Sequence, residues 1–103
     1  MKTAVLQTHI VHESLIKEIS AVMTRLIAYS DYYVSMEIKS DSIYLYASAN
    51  NNTLLSRYIL LKSETAGSDL TECLNSLNDY WEQILENYAQ LVSFYHLPEV
   101  KAA

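Results

Sequence analysis

Two imidazoles and a carboxylate stand close together in "HIVHE", His9 to Glu13. On a helix His9 and Glu13 share a face and His12 is adjacent, and donors of that kind can hold zinc. The zinc-protease pattern places its histidines four apart with a glutamate beside the first. Here the histidines are three apart and the glutamate follows the second. The segment is therefore expected to be the polar start of a helix, with no metal. Cys73 is the single cysteine, which excludes an internal disulfide. It has no neighbouring base in sequence and flanks an apolar seam, so it reads as an inert core residue. The chain has one glycine, too few for a phosphate cradle, and no serine sits in a nucleophile elbow. No catalytic residue and no cofactor are expected, and the chain reads as nonenzymatic.

Contact chemistry is better represented. In "VSMEIKSDSIYLYASANN" every second residue is apolar, and the alternate row carries tyrosines. Tyr33, Glu37, Tyr44 and Tyr46 fall on that row, and Tyr58 joins them in one register of the next strand. Aromatics on an open sheet can stack RNA bases, but that requires surrounding Lys and Arg. Only Lys39, Arg57 and Lys62 are near. A protein contact is the better reading, because tyrosine offers a large apolar body with a polar tip. The second contact surface is acidic. Between residues 63 and 100 there are seven Asp and Glu and no Lys or Arg. Glu72, Asp79 and Glu86 fall seven apart, opposite an apolar seam, with Glu82 beside them. Such a stripe is either a solvated face or a ligand for a basic groove.

Five elements must position these residues. Leu15, Ile19, Val22, Leu26 and Tyr29 recur at four and three, and Ile16, Met23 and Ile27 widen the stripe, which predicts an amphipathic helix. Thr8 is a candidate N-cap, although the helix could begin near Thr3. "SDYY" ends it. Ser40-Asp41 as a turn sets Lys39 against Ser42, Glu37 against Tyr44 and Ser35 against Tyr46. The oily row then matches Ile38 with Ile43, Met36 with Leu45 and Val34 with Ala47. Ser-Asp is not a preferred two-residue turn, so a longer loop is also open. Asn50 to Asn52 read as a loop. The third strand, "LLSRYILLK", has two registers. One buries Leu55, Ile59 and Leu61 together with Arg57 and sets Tyr58 beside Tyr44. The other buries Leu54, Tyr58 and Leu60 with Ser56. The first is favoured. Either way this is an apolar edge strand that invites pairing. Ser68 is the expected N-cap of the last helix, with Asp69 and Glu72 favouring its dipole. Leu70, Leu74, Leu77, Trp81, Ile84, Tyr88, Leu91 and Tyr95 then alternate four and three up to the stop at Pro98, a coiled-coil-like seam. At 1.5 Å per residue this helix overhangs any strand in the chain.

The whole is one α+β domain, residues 1–103, ordered α-β-β-β-α. Two helices are expected on one face of a three-stranded antiparallel sheet, the C-terminal helix being long. A formal charge of −5 argues against direct nucleic-acid or anionic-membrane binding. No signal peptide or membrane span is expected, which implies a cytoplasmic protein. Double-stranded-RNA-binding domains share the element order, but Asp69 and Glu72 stand where those domains carry a basic cluster. In order and acidity the chain is similar to several small phage anti-CRISPR proteins, with no motif in common. The expected function is a protein-binding inhibitor from a phage or mobile element. Its target would carry a basic, nucleic-acid-binding surface, as a nucleic-acid enzyme does. The alternative is a homo-oligomeric structural or adaptor protein, and a homodimer is the expected assembly.

Overall fold

The structure is a computed structural model that describes the backbone of residues 2–95 and the side chains of residues 12–90. The elements are α1 (Lys2–Tyr29), β1 (Tyr33–Ile38), β2 (Ser42–Ala49), β3 (Asn52–Leu60) and α2 (Ala66–Tyr95). The strands form an antiparallel meander in the order β1-β2-β3. This is the expected α-β-β-β-α fold, an open three-stranded sheet with both helices on its oily face. Ile19, Val22 and Leu26 of α1 meet Val34, Ile43, Leu45, Ala47 and Ile59 of the sheet. Leu70, Cys73, Leu77 and Trp81 of α2 close the same core. Among the described residues no helix is long and apolar enough to cross a membrane.

Strand pairing follows the expected rows. Val34 faces Ala47, Met36 faces Leu45 and Ile38 faces Ile43, while Ser35 faces Tyr46 and Glu37 faces Tyr44. The first turn is two residues after all, because the Lys39 amide donates to the Ser42 carbonyl at 2.8 Å. In the second turn Asn50 and Asn51 both adopt left-handed backbone, φ 53° and 66°. Two such residues make the primed turn whose twist suits a hairpin. Asn52 is therefore strand and not loop, paired with Ala49. β3 takes the favoured register, with Tyr44 against Tyr58 and Leu45 against Arg57. A bulge where β3 passes Ala47 and Ser48 leaves Leu54 as the extra residue.

Three local expectations change. α1 begins at Lys2, which rules out Thr8 as its N-cap and agrees with the start near Thr3. The cap of α2 is Thr65 and not Ser68, because the Thr65 carbonyl accepts the first helical bond, from the Asp69 amide at 2.8 Å. The α1 stripe is narrower than its sequence suggests, with Ile27 61% exposed. Ile27 stands roughly 90° from the line of Ile19, Val22, Met23 and Leu26, past the reach of sheet and α2. In α2 the fully buried line is Leu70, Cys73 and Leu77, so Cys73 lies in the seam and Leu74 beside it. A strict seven-residue repeat drifts around a straight helix, and this shifts the buried line. Leu91 and Tyr95 of the seam, and His9, lie outside the described side chains.

The two helices run in the same direction. Val22 and Arg25 share a groove with Leu74 and Asn78, and farther along the Tyr29 ring lies 5.8 Å from Trp81. A 30-residue helix is about 45 Å long, and a nine-residue strand about 30 Å. α1 therefore runs past the sheet at one end and α2 at the other. The extents of 58 × 28 × 17 Å and radius of gyration of 16.1 Å reflect this. A compact chain of this length has a radius of about 13 Å.

Candidate protein-interaction surfaces

Strand alternation places Tyr33, Tyr44, Tyr46 and Tyr58 on the face away from the helices. The rows across that face are Tyr33–Ser48–Thr53, Ser35–Tyr46–Ser56 and Glu37–Tyr44–Tyr58. Tyr44 and Tyr46 stand on the central strand and are half-buried by their neighbours. Tyr33 and Tyr58 stand on the edge strands and are 62% and 60% exposed. Small polar residues hold the central rings: the Tyr44 hydroxyl meets Ser56 Oγ at 2.8 Å, and that of Tyr46 meets Thr53 Oγ1 at 3.4 Å. The Tyr33 ring meets Tyr46 edge-on at 5.9 Å. The hydrogen bond to Thr53, then one to Ser48, holds the Tyr46 phenol below its ordinary pKa. Leu60 is exposed at the end of β3. Glu37 pairs with Lys39 at 3.7 Å, so the face is almost neutral. It is an aromatic surface with hydroxyl tips, suited to contact.

Arg57 does not belong to that face. It points to the helix side, opposite Leu45. Its guanidinium donates to Asp69 Oδ1 at 2.9 Å and to Glu72 Oε2 at 3.1 Å. Asp69 in turn accepts from Thr65 Oγ1 at 3.1 Å, which joins the cap to the ion cluster. The hydrogen bond that Arg57 donates to Glu72 raises its pKa further above an already high value. Glu72 is thus spoken for by β3, which removes it from the set of uncompensated acids. Asp79, Glu82 and Glu86 remain exposed, and no ion pair reaches them among the described residues. These three point away from the core and hence away from the sheet. The two expected contact surfaces therefore lie on opposite sides of the molecule.

No family model, curated protein or solved structure matches the chain.

A third feature was hidden in the sequence because its residues are far apart. Where α1 turns into β1, Tyr29 meets Trp81, and Tyr32 meets Tyr80 at 5.9 Å. The Tyr80 hydroxyl donates to the Leu54 carbonyl at 3.2 Å, at the bulge of the edge strand. Burial pushes the Tyr80 phenol up. The paired aromatics of "YSDYY" and "YW" were the available signal, but neither segment names its partner. Cys73 is buried, and burial raises its thiol, which disfavours the reactive thiolate. Among the described residues no group of three or more His, Cys, Asp or Glu is placed to hold a metal ion.

Proposed function

We propose that the chain is a nonenzymatic protein-binding inhibitor that grips its target with the tyrosine face of the sheet. The observation that carries this reading is that face itself: four tyrosines on three strands, with none of the described elements laid over them. The target is taken to have a basic, nucleic-acid-binding surface, and Asp79, Glu82 and Glu86 would act on the nucleic acid that it binds. With the sheet docked, these acids project outward from the complex. Phosphates approaching within roughly 8–10 Å would meet uncompensated negative charge. Inhibition would then combine steric cover by the sheet with repulsion by α2. An anti-defence protein of a phage or mobile element would act in this way.

A second reading is a homo-oligomer. It is favoured by the stretch of α2 beyond Trp81, where Ile84 and Leu85 pack on the core but stay half-buried, which leaves apolar surface for a second copy.

One capture experiment separates the two. Tagged protein is passed through lysates of candidate hosts, and the recovered protein is then purified. Tyr33→Ser with Tyr58→Ser should weaken binding to the recovered target at least tenfold, mainly by faster release. Asp79, Glu82 and Glu86 all changed to Lys should instead leave binding to the target near wild type and let nucleic acid compete with the complex, most clearly at low salt. Glu72 is left intact because it holds Arg57. A folded tyrosine variant that binds like wild type would remove the sheet face from the proposal. Recovery of only the chain's own copies would favour the second reading.

A further inference from the structure

At the end of the sheet that carries the β1–β2 turn, a cleft of about 520 Å³ opens between α1, that turn and the segment that follows β3. Small-molecule sites commonly measure roughly 300–1,000 Å³. Ile16 from α1 and Leu61 after β3 supply apolar walls, and His12 lines the same space. His12 is only 9% exposed, yet no hydrogen bond or ion pair engages it among the described residues. No fully buried polar atom lacks a partner among the described side chains, so the His12 ring nitrogens keep some exposure, and His12 lines the cleft. A neutral imidazole offers one donor and one acceptor, and in the cleft a ligand can take these hydrogen bonds in place of water. The rim carries Glu13, Lys17, Asp41 and Lys62. Glu13 and Lys17 neutralise each other at 3.0 Å. Among the described residues Asp41 and Lys62 are in no ion pair, and they carry opposite signs. With His12 neutral, the formal charge of the rim is zero.

We propose that this cleft binds a compact apolar molecule of no net charge, whose polar head hydrogen-bonds to His12. The apolar body lies on Ile16 and Leu61. A carboxylic acid would face Asp41 with like charge, and an amine would face Lys62. An uncharged head avoids both conflicts, and a zwitterion with an apolar side chain can match both. The site is separate from the tyrosine face and from Asp79, Glu82 and Glu86, so it stands or falls independently of the inhibitor reading.

The test follows the ring signals of His12 by NMR in the full chain. The probes are cyclohexanol, leucine, cyclohexanecarboxylate and cyclohexylamine. A saturable shift is expected with cyclohexanol or leucine, at a concentration at least fivefold lower than with either charged probe. Which of the two binds tells an uncharged ligand from a zwitterionic one. Ser40→Phe, placed on the exposed turn, should fill the cleft and abolish the response while leaving the circular dichroism unchanged. By thermal shift, His12→Gln should retain probe binding, and His12→Leu should weaken it at least fivefold. If the His12 variants fail to fold, Ser40→Phe still decides. No saturable response to any probe, an unaltered response in Ser40→Phe, or equal binding of the charged probes would overturn the proposal.

Discussion

The two faces of the sheet are built from the same three strands and handle polar groups in opposite ways. The inner face accepts one guanidinium, Arg57, amid aliphatic residues, because α2 brings Asp69 and Glu72 to it. The outer face carries four tyrosines, whose central hydroxyls find Ser and Thr on the neighbouring strand. Alternation assigns residues to faces, but it does not say which face a polar residue can tolerate. That depends on what the covering element offers, and the acids of α2 are what make this register of β3 possible.

The largest expected effect comes from charge on the inner face without a partner. Ile43 is fully buried between Ile38 and Ile59. Ile43→Asp should cost at least ~4 kcal/mol, a large share of the about 5–15 kcal/mol that holds a whole domain together. Leu45 is a poorer probe, because Arg57 stands opposite and could accept the new carboxylate. Tyr46→Ser on the outer face should cost about 0.5–1 kcal/mol, the worth of a cross-strand pair. Urea unfolding measures both, and equal losses would erase the distinction between the faces.

A smaller effect is expected at the ion cluster. The Arg57 and Asp69 side chains are 37% and 26% exposed, so solvent screens them in part. Arg57→Ala should lower stability by about 1 kcal/mol, or roughly 4–8 °C in melting temperature, and less in high salt. If melting is unchanged at low salt, the pairing does not hold β3 to α2. The smallest effect contrasts two phenols. Tyr46 is shifted down by its hydrogen bond to Thr53, and Tyr80 is shifted up by burial. In an alkaline titration followed by NMR, Tyr46 should ionise before Tyr80. The stability signs are opposite. The Tyr46 contribution is present above its unfolded pKa and lost as pH falls through the folded value. The Tyr80 contribution is present below its unfolded pKa and lost as pH rises through the folded value. A reversed order of ionisation would contradict the burial difference.

Much of the fold was legible because period-two and heptad patterns are local. The β1–β2 register followed from matching apolar rows, and the order of elements from the change of period. The cap of α2 was misplaced because Ser68 and Thr65 are both plausible caps, and only the backbone bond from Asp69 decides between them. Arg57 made β3 ambiguous because its partners lie beyond the next turn. Of the candidate contact residues, the tyrosines emerged on one face as their spacing required. Glu72 was misjudged for the same reason as Arg57: an ion pair between a strand and a helix leaves no periodic trace. The His12 cleft was illegible because its walls come from three separate segments.

The shared direction of α1 and α2 has a consequence in time. Each strand turns directly into its neighbour, so the sheet can form as it is made. α1 instead packs on a helix 52 positions later, counted from Val22 to Leu74, which line one groove. At about 5–20 residues per second, a ribosome takes roughly 3–10 s to cover that distance. For that interval the apolar stripe of α1 has strands to lean on but not its partner helix, and a growing chain must keep Ile19, Val22 and Leu26 from wandering until α2 arrives.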